Sequence, residues 1–289
     1  MMDIEVITTF RNMTKYYKQL NEGDINLVEF WEYITETIWE IMSKMEILSE
    51  ESKKDKMMIR DCLLGKDLKL FCEQIPLLSR INIEYLQSEF EKITNLLPFP
   101  YLKKMLVVIS PSLCNWKERS DPYISKGVAL FHDVIILKID PFIDNWQEII
   151  FSVFAHEYHH NIWTYNKCIL NNECEVNELT LLDILIMEGE AILFEKSLFP
   201  DLVKPLKREP FDIKTEKKLW EKIKLVLLNK EGNIIYQYLK GDGSKDFPYA
   251  MGYQFGEKMV KSYMNKNPSM SFLELFNITT KEIFESNEF

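Results

Sequence analysis

Residues 149–163 read IIFSVFAHEYHHNIW, an apolar stretch that holds three of the four histidines of the chain. Within it, residues 156–160 have the form H-E-x-x-H. Residues four apart in a helix lie about one turn from each other on the same face, so His156 and His160 can both reach one metal ion. The pattern therefore predicts a helix here and a metal site on that helix.

The same five residues predict the identity of the metal and a role for the glutamate. The H-E-x-x-H pattern is typical of zinc sites in which the glutamate acts on a water molecule whose pKa the metal lowers to about 7. We predict one Zn²⁺ per chain, with His156 and His160 as ligands and Glu157 as the general base. The alternative is that the histidines are hydrogen-bonded core residues, which suits a single histidine better than this pair with Glu157.

A catalytic zinc site needs a third protein ligand, and no histidine remains nearby to supply it. Apolar residues continue from Leu179 to Phe199 with the length of a helix. Glu188 falls on the apolar stripe of this helix, where an unpaired carboxylate would be costly to bury, and we predict it to be the third ligand. Glu190 falls on the other face, where we expect solvent, and stays the alternative ligand. A buried ion pair with a Lys or Arg is the other interpretation of Glu188.

The remainder of the chain predicts an α+β, predominantly helical fold. Residues 3–96 are interpreted as helical throughout, whereas residues 104–110 (KMLVVIS) have the β-branched composition of a strand. Residues 127–139 predict two strands or one long bent strand ahead of the motif helix. We expect a helical N-terminal region at residues 1–100 and a catalytic region at residues 101–289, built as one continuous unit.

Charge and composition exclude several classes of partner. The chain has 289 residues, and its 35 basic and 45 acidic side chains give a net charge of −10, which disfavours nucleic acid and anionic membranes. No apolar run approaches the roughly 20 residues that span a bilayer. Since the first residues also lack the pattern of a secretion signal, we expect a cytoplasmic protein with no membrane span. The oligomeric state stays open.

Three motifs together resemble a known family. H-E-x-x-H is followed by EGEA at residues 188–191 and by GYQFG at residues 252–256. This combination is similar to the YjaZ-like zinc-dependent proteases, gluzincin-type zincins whose pattern is HExxH, EGxA and Gly-Tyr…Gly. The family usually has an apolar residue where this chain has Glu190, which keeps both glutamates open as ligands.

The resemblance implies a zincin-like metallopeptidase fold and a peptide or protein substrate. In the thermolysin-like arrangement that it implies, two helices carry the ligands, and a strand within residues 127–139 pairs with an extended substrate. His132 could face that substrate, although a surface position is the simpler interpretation. Gly189 predicts close packing of its helix against the motif helix.

Zinc peptidases also need a donor to the oxyanion of the attacked carbonyl. Tyr253, in a helix predicted over residues 248–263, is our candidate, and Tyr249 is the second. The alternative is that both are core tyrosines.

From the motif, the proposed ligands and the resemblance together, we predict a zinc metallopeptidase. The alternative from another class is a non-catalytic, regulatory protein that retains the zinc site, and a weaker one is a hydrolase of non-peptide amides.

Overall fold

The computed structural model describes residues 2–45, 53–63, 68–112, 126–130, 133–171, 175, 178–202 and 211–287. These residues are mostly helical and contain one small sheet, so the predicted α+β class is confirmed. The chain forms two compact units, unit 1 (Met1–Asn161) and unit 2 (Ile162–Phe289).

Unit 1 contains a mixed four-stranded sheet with the strand order β1-β2-β4-β3. β1 pairs with β2 and β2 pairs with β4 in parallel, whereas β3 pairs with β4 in antiparallel fashion. The strands are β1 (Asp3–Thr8), β2 (Lys104–Pro111), β3 (Lys126–Leu130) and β4 (Val134–Ile139). Residues 127–130 and 134–139 therefore lie in two separate strands, and β3 lies at one edge of this sheet.

Unit 1 also contains six helices in its described residues. They are α1 (Phe10–Glu22), α2 (Leu27–Lys44), α3 (Lys53–Leu63), α4 (Leu68–Leu78), α5 (Ile83–Leu96) and α6 (Trp146–Thr164), whose last three residues belong to unit 2. α6 is the helix that the H-E-x-x-H motif predicts.

β1 corrects the prediction that residues 3–96 are helical throughout. Ile4 and Val6 are buried, whereas Asp3 and Glu5 are exposed. This alternation is the two-residue period of a strand with one face on the core. The strand is only six residues long, and its partner β2 begins about 100 positions later, so the helical pattern of the following residues hid it.

Aromatic side chains fix α6 against α5 within unit 1. The rings of Phe90 and Phe154 stack with their centroids 4.2 Å apart, and Phe151 meets Phe90 edge to face. The hydroxyl of Tyr158 donates a hydrogen bond of 2.8 Å to the carbonyl of Leu97. These contacts hold the direction and rotation of the helix that carries the motif.

Unit 2 is helical, and its core is the packing of α7 against α10. The ring of Trp220 on α8 stacks on Phe255 of α10, with centroids 5.4 Å apart. The elements are a π-helical segment (Tyr165–Leu170) that continues α6, then α7 (Leu181–Leu198), α8 (Ile213–Lys224), α9 (Gly232–Lys240), α10 (Met251–Lys266), α11 (Phe272–Leu275) and α12 (Thr280–Glu285).

None of the helices in the described ranges combines the length and the apolarity that crossing a membrane requires.

Candidate metal centre

The two motif histidines are neighbours on one face of α6. Their ring centroids lie 4.6 Å apart, and the ring planes are nearly perpendicular, at 87°. His160 is 9% exposed and His156 is half-buried. The spacing of four residues thus brings both imidazoles close enough together to bind one metal ion.

Glu157 lies on the same helix but is held by the sheet. It is 9% exposed, and its Oε2 accepts a hydrogen bond of 2.9 Å from the backbone N–H of Ala129 on β3. Its side chain also packs over Gly127 of β3. Sequence reasoning missed these two partners, which lie about 30 positions earlier in the chain.

α7 carries Glu188, and the start of this helix is well fixed. Thr180 is the N-cap and forms a capping box with Asp183, whose carboxylate accepts a 2.9 Å hydrogen bond from the N–H of Thr180. The next two N–H groups, of Leu181 and Leu182, donate to backbone carbonyls, each at 2.9 Å. Glu188 itself is only 8% exposed.

His156, His160 and Glu188 each offer one ligand atom, and these three atoms lie within 4.8 Å of one another. Donors that bind one tetrahedral zinc at about 2.0–2.2 Å are about 3.4 Å apart, which small side-chain rotations would reach. Two imidazole nitrogens and one carboxylate oxygen are a donor set of catalytic zinc. The group therefore fits the ion, and the described residues contain no second group of this kind.

Glu190 does not face solvent, so that part of the prediction is wrong. It is 1% exposed and lies near Lys167 and Trp163, which are themselves 2% and 1% exposed. Burial raises the pKa of Glu190 well above its usual value, and the charge of Lys167 and the indole of Trp163 oppose this. Because α7 is buried on several sides, its helical period did not separate an apolar from a solvent face.

Gly189 packs against α10, which corrects the prediction that it packs against the motif helix. A methyl group placed on Gly189 would meet the backbone oxygen of Gly256 at 2.3 Å, and one on Gly256 would meet the backbone oxygen of Leu185 at 1.9 Å. The two helices therefore touch backbone to backbone. This contact gives the Gly-Tyr…Gly segment a packing role next to Glu188.

The structure distinguishes the two candidate tyrosines by their burial. Tyr253 lies on α10 and is 8% exposed, whereas Tyr249 precedes the helix and is 43% exposed. The ring of Tyr249 lies over Gly243, where an added methyl group would be 2.5 Å from it.

His132, which the sequence analysis considered as a residue facing the substrate, lies outside the described residues.

Comparison with known proteins gives one match. A family model described as "Predicted Zn-dependent protease (DUF2268)" matches residues 87–285. The matched range includes α6 and α7, and with them the whole candidate centre. No curated protein and no solved structure matches the chain.

Proposed function

Since the chain belongs to the family of predicted Zn-dependent proteases, we propose that it is a zinc metallopeptidase with a zincin-like fold. The observation that carries the proposal is the group of His156, His160 and Glu188, whose ligand atoms lie within 4.8 Å of one another. These residues are the proposed ligands of one zinc ion. Such a set of three leaves the fourth position of the metal open for water.

The ligands are proposed to come from two helices that are rigid for separate reasons. α6 is fixed against α5 by stacked rings, and α7 is fixed by its capping box and by its contact with α10. A bound zinc ion would act as a Lewis acid that activates water and polarises the carbonyl under attack. Each of the two helices thus holds its own proposed ligands through contacts within its own unit.

Glu157 is the proposed general base. Its carboxylate accepts the proton of the attacking water and then passes it to the nitrogen of the leaving amine. Two observations support this role: Glu157 directly follows a proposed ligand on α6, and it is only 9% exposed. A purely structural zinc site has no use for such a carboxylate, which favours the enzyme over the regulatory alternative.

The proposed substrate is a peptide or protein in an extended conformation. β3 lies at an edge of the sheet of unit 1 and passes over Glu157. An edge strand can pair with an extended peptide through backbone hydrogen bonds, which read the peptide main chain whatever its side chains. A substrate aligned on β3 would carry its scissile bond past the general base.

The first experiment measures bound metal. We expect about one zinc per chain in the wild type after dialysis, and loss of most of it in His160→Ala and in Glu188→Ala, because each removes one of three protein ligands. Glu178→Ala is the matched control, since Glu178 is an exposed glutamate paired with Lys230. Elemental analysis reads the result, and equal zinc in all four proteins would overturn the ligand set.

The second experiment measures hydrolysis of fluorescein-labelled casein by the zinc-loaded protein. Glu157→Gln keeps the size of the side chain but not its basicity, so we expect unchanged zinc and a rate lower by about 10²–10⁴-fold. If the zinc-loaded wild type releases no fluorescein, or if Glu157→Gln cleaves as fast as the wild type, the proposed mechanism fails. Zinc bound without any hydrolysis would favour the regulatory alternative.

A further inference from the structure

We propose that β3 positions the general base: the backbone N–H of Ala129 orients the carboxylate of Glu157, and the missing side chain of Gly127 leaves the space that this carboxylate occupies. The inference rests on the proposed function, because Glu157 is a base only if the chain hydrolyses its substrate. It makes Gly127 and Ala129 positioning residues, which act on the reaction through Glu157.

The hydrogen bond fixes one of the two carboxylate oxygens. Oε2 of Glu157 lies 2.9 Å from the nitrogen of Ala129. A carboxylate accepts at both oxygens, so Oε1 stays available to take a proton. Because a hydrogen bond to a charged acceptor is stronger than a neutral one, this contact restricts how the side chain of Glu157 rotates.

The hydrogen bond from Ala129 to Glu157 is compatible with the pairing of β3 and β4. Ala129 lies opposite Ile135 in the antiparallel pair of β3 and β4. Alternate residues of an antiparallel strand direct their N–H groups away from the partner strand. β3 can thus donate from Ala129 to Glu157 and keep its pairing with β4.

Gly127 provides the room for the side chain. A methyl group at this position would lie 2.3 Å from Cγ of Glu157, 2.7 Å from its Oε1 and 2.7 Å from Cγ1 of Val153. Val153 and Glu157 are one turn apart on α6, so the methyl group would press on two consecutive turns. Cγ is close to the backbone of α6, and relieving the clash requires a different rotamer of Glu157 or a shift of the helix.

The test compares Gly127→Ala with Gly232→Ala in the full chain. Gly232 has nothing within 4 Å of an added methyl group, so the control makes the same chemical change in open space. We expect Gly127→Ala to keep its zinc and its KM for labelled casein and to lose at least tenfold in kcat. We expect Gly232→Ala to keep all three values within twofold.

A readout that needs no turnover tests the hydrogen bond itself. Deuterium exchange of the peptide that covers residues 126–130 is measured by mass spectrometry in the wild type, Glu157→Ala and Gly127→Ala. We expect the amide of Ala129 to exchange at least tenfold faster in both variants, because an N–H at a strand edge loses its acceptor. This measurement on Glu157→Ala stands even if Gly127→Ala fails to fold.

Two results would overturn the proposal: exchange at Ala129 that is unchanged in Glu157→Ala, or wild-type kcat in a folded Gly127→Ala. Loss of zinc in Gly127→Ala together with its loss of activity would also overturn it, because the glycine would then support the metal rather than the base. If the zinc-loaded wild type cleaves no casein, the proposed function fails. The exchange result then still decides whether β3 holds Glu157.

Discussion

Tyr253 and Tyr249 lie in different environments although they are one helical turn apart in sequence. Tyr253 is 8% exposed on α10, three residues before the glycine that touches α7, whereas Tyr249 is 43% exposed. A donor to an oxyanion acts best when it is held rigidly in a site from which water is excluded. Burial therefore favours Tyr253 as the proposed donor.

We predict that Tyr253→Phe lowers kcat for labelled casein by about 10²–10³-fold, the usual cost of losing one oxyanion donor. Bound zinc should not change, since the hydroxyl is not a proposed ligand. Tyr249→Phe is the matched control, and its kcat should stay close to that of the wild type. Reversed effects in the two variants would transfer the role to Tyr249.

Single residues show which parts of the centre the sequence could predict. The spacing of His156 and His160 is local, because a helix converts a separation of four residues into a shared face. The burial of Glu190 was not predictable in this way, since it depends on Lys167 and on neighbours from elsewhere in the chain. The contact of Glu157 with Ala129 joins residues 28 positions apart, and no local pattern indicates it.

At the scale of elements, the crossing of α7 and α10 depends on paired glycines. An added methyl group on Gly256 would lie 1.9 Å from the backbone oxygen of Leu185, and a backbone atom cannot rotate out of the way as a side chain can. The helices would have to separate. Because Glu188 is next to Gly189 in this crossing, such a separation would also move a proposed ligand.

We predict that Gly256→Ala lowers the free energy of unfolding by about 3 kcal/mol, near the upper end of the usual cost of overpacking. Gly232→Ala is the control, because its methyl group meets nothing within 4 Å and should change stability by no more than about 1 kcal/mol. Urea unfolding followed by circular dichroism gives both values. Equal urea midpoints for the two variants would contradict the close backbone contact of α7 and α10 at Gly256.

Elements with a strong local period were predicted, and those that depend on distant partners were not. β2, α6 and α7 follow from their composition and period, and the structure has them close to the predicted bounds. β1 was missed because six residues carry little local signal and their pairing is with β2. The partner of Gly189 could not be deduced either, since a glycine indicates a close approach without naming the neighbour.

At the scale of the whole molecule, stability should depend on pH through Asp133. Asp133 is 8% exposed, and burial raises its pKa from 3.8 to about 7, while a hydrogen bond to its own backbone opposes this. The folded chain therefore binds a proton at Asp133 in a range where the unfolded chain has released it. The contribution of Asp133 to stability must fall as pH rises through this range, from about 4 to about 7.

We predict that the difference in unfolding free energy between Asp133→Asn and the wild type grows by up to about 1.4 kcal/mol per pH unit between pH 4 and pH 7, and is constant above that. Asparagine carries no charge that burial could penalise. Urea midpoints at a series of pH values give the difference, with the exposed Asp201→Asn as the control. A difference that does not vary with pH would refute the prediction.

The pairing of β1 with β2 also sets an order of events during synthesis. Asp3 lies opposite Lys104, so about 100 residues must follow β1 out of the ribosome before the pair can form. At about 5–20 residues per second this takes roughly 5–20 seconds. During that time Ile4 and Val6 have no sheet to join, because β2, the strand that pairs with β1, has not yet been made. The nascent chain thus passes through a stage in which β1 has unpaired N–H and C=O groups, to which other nascent chains can add and at which aggregation can start.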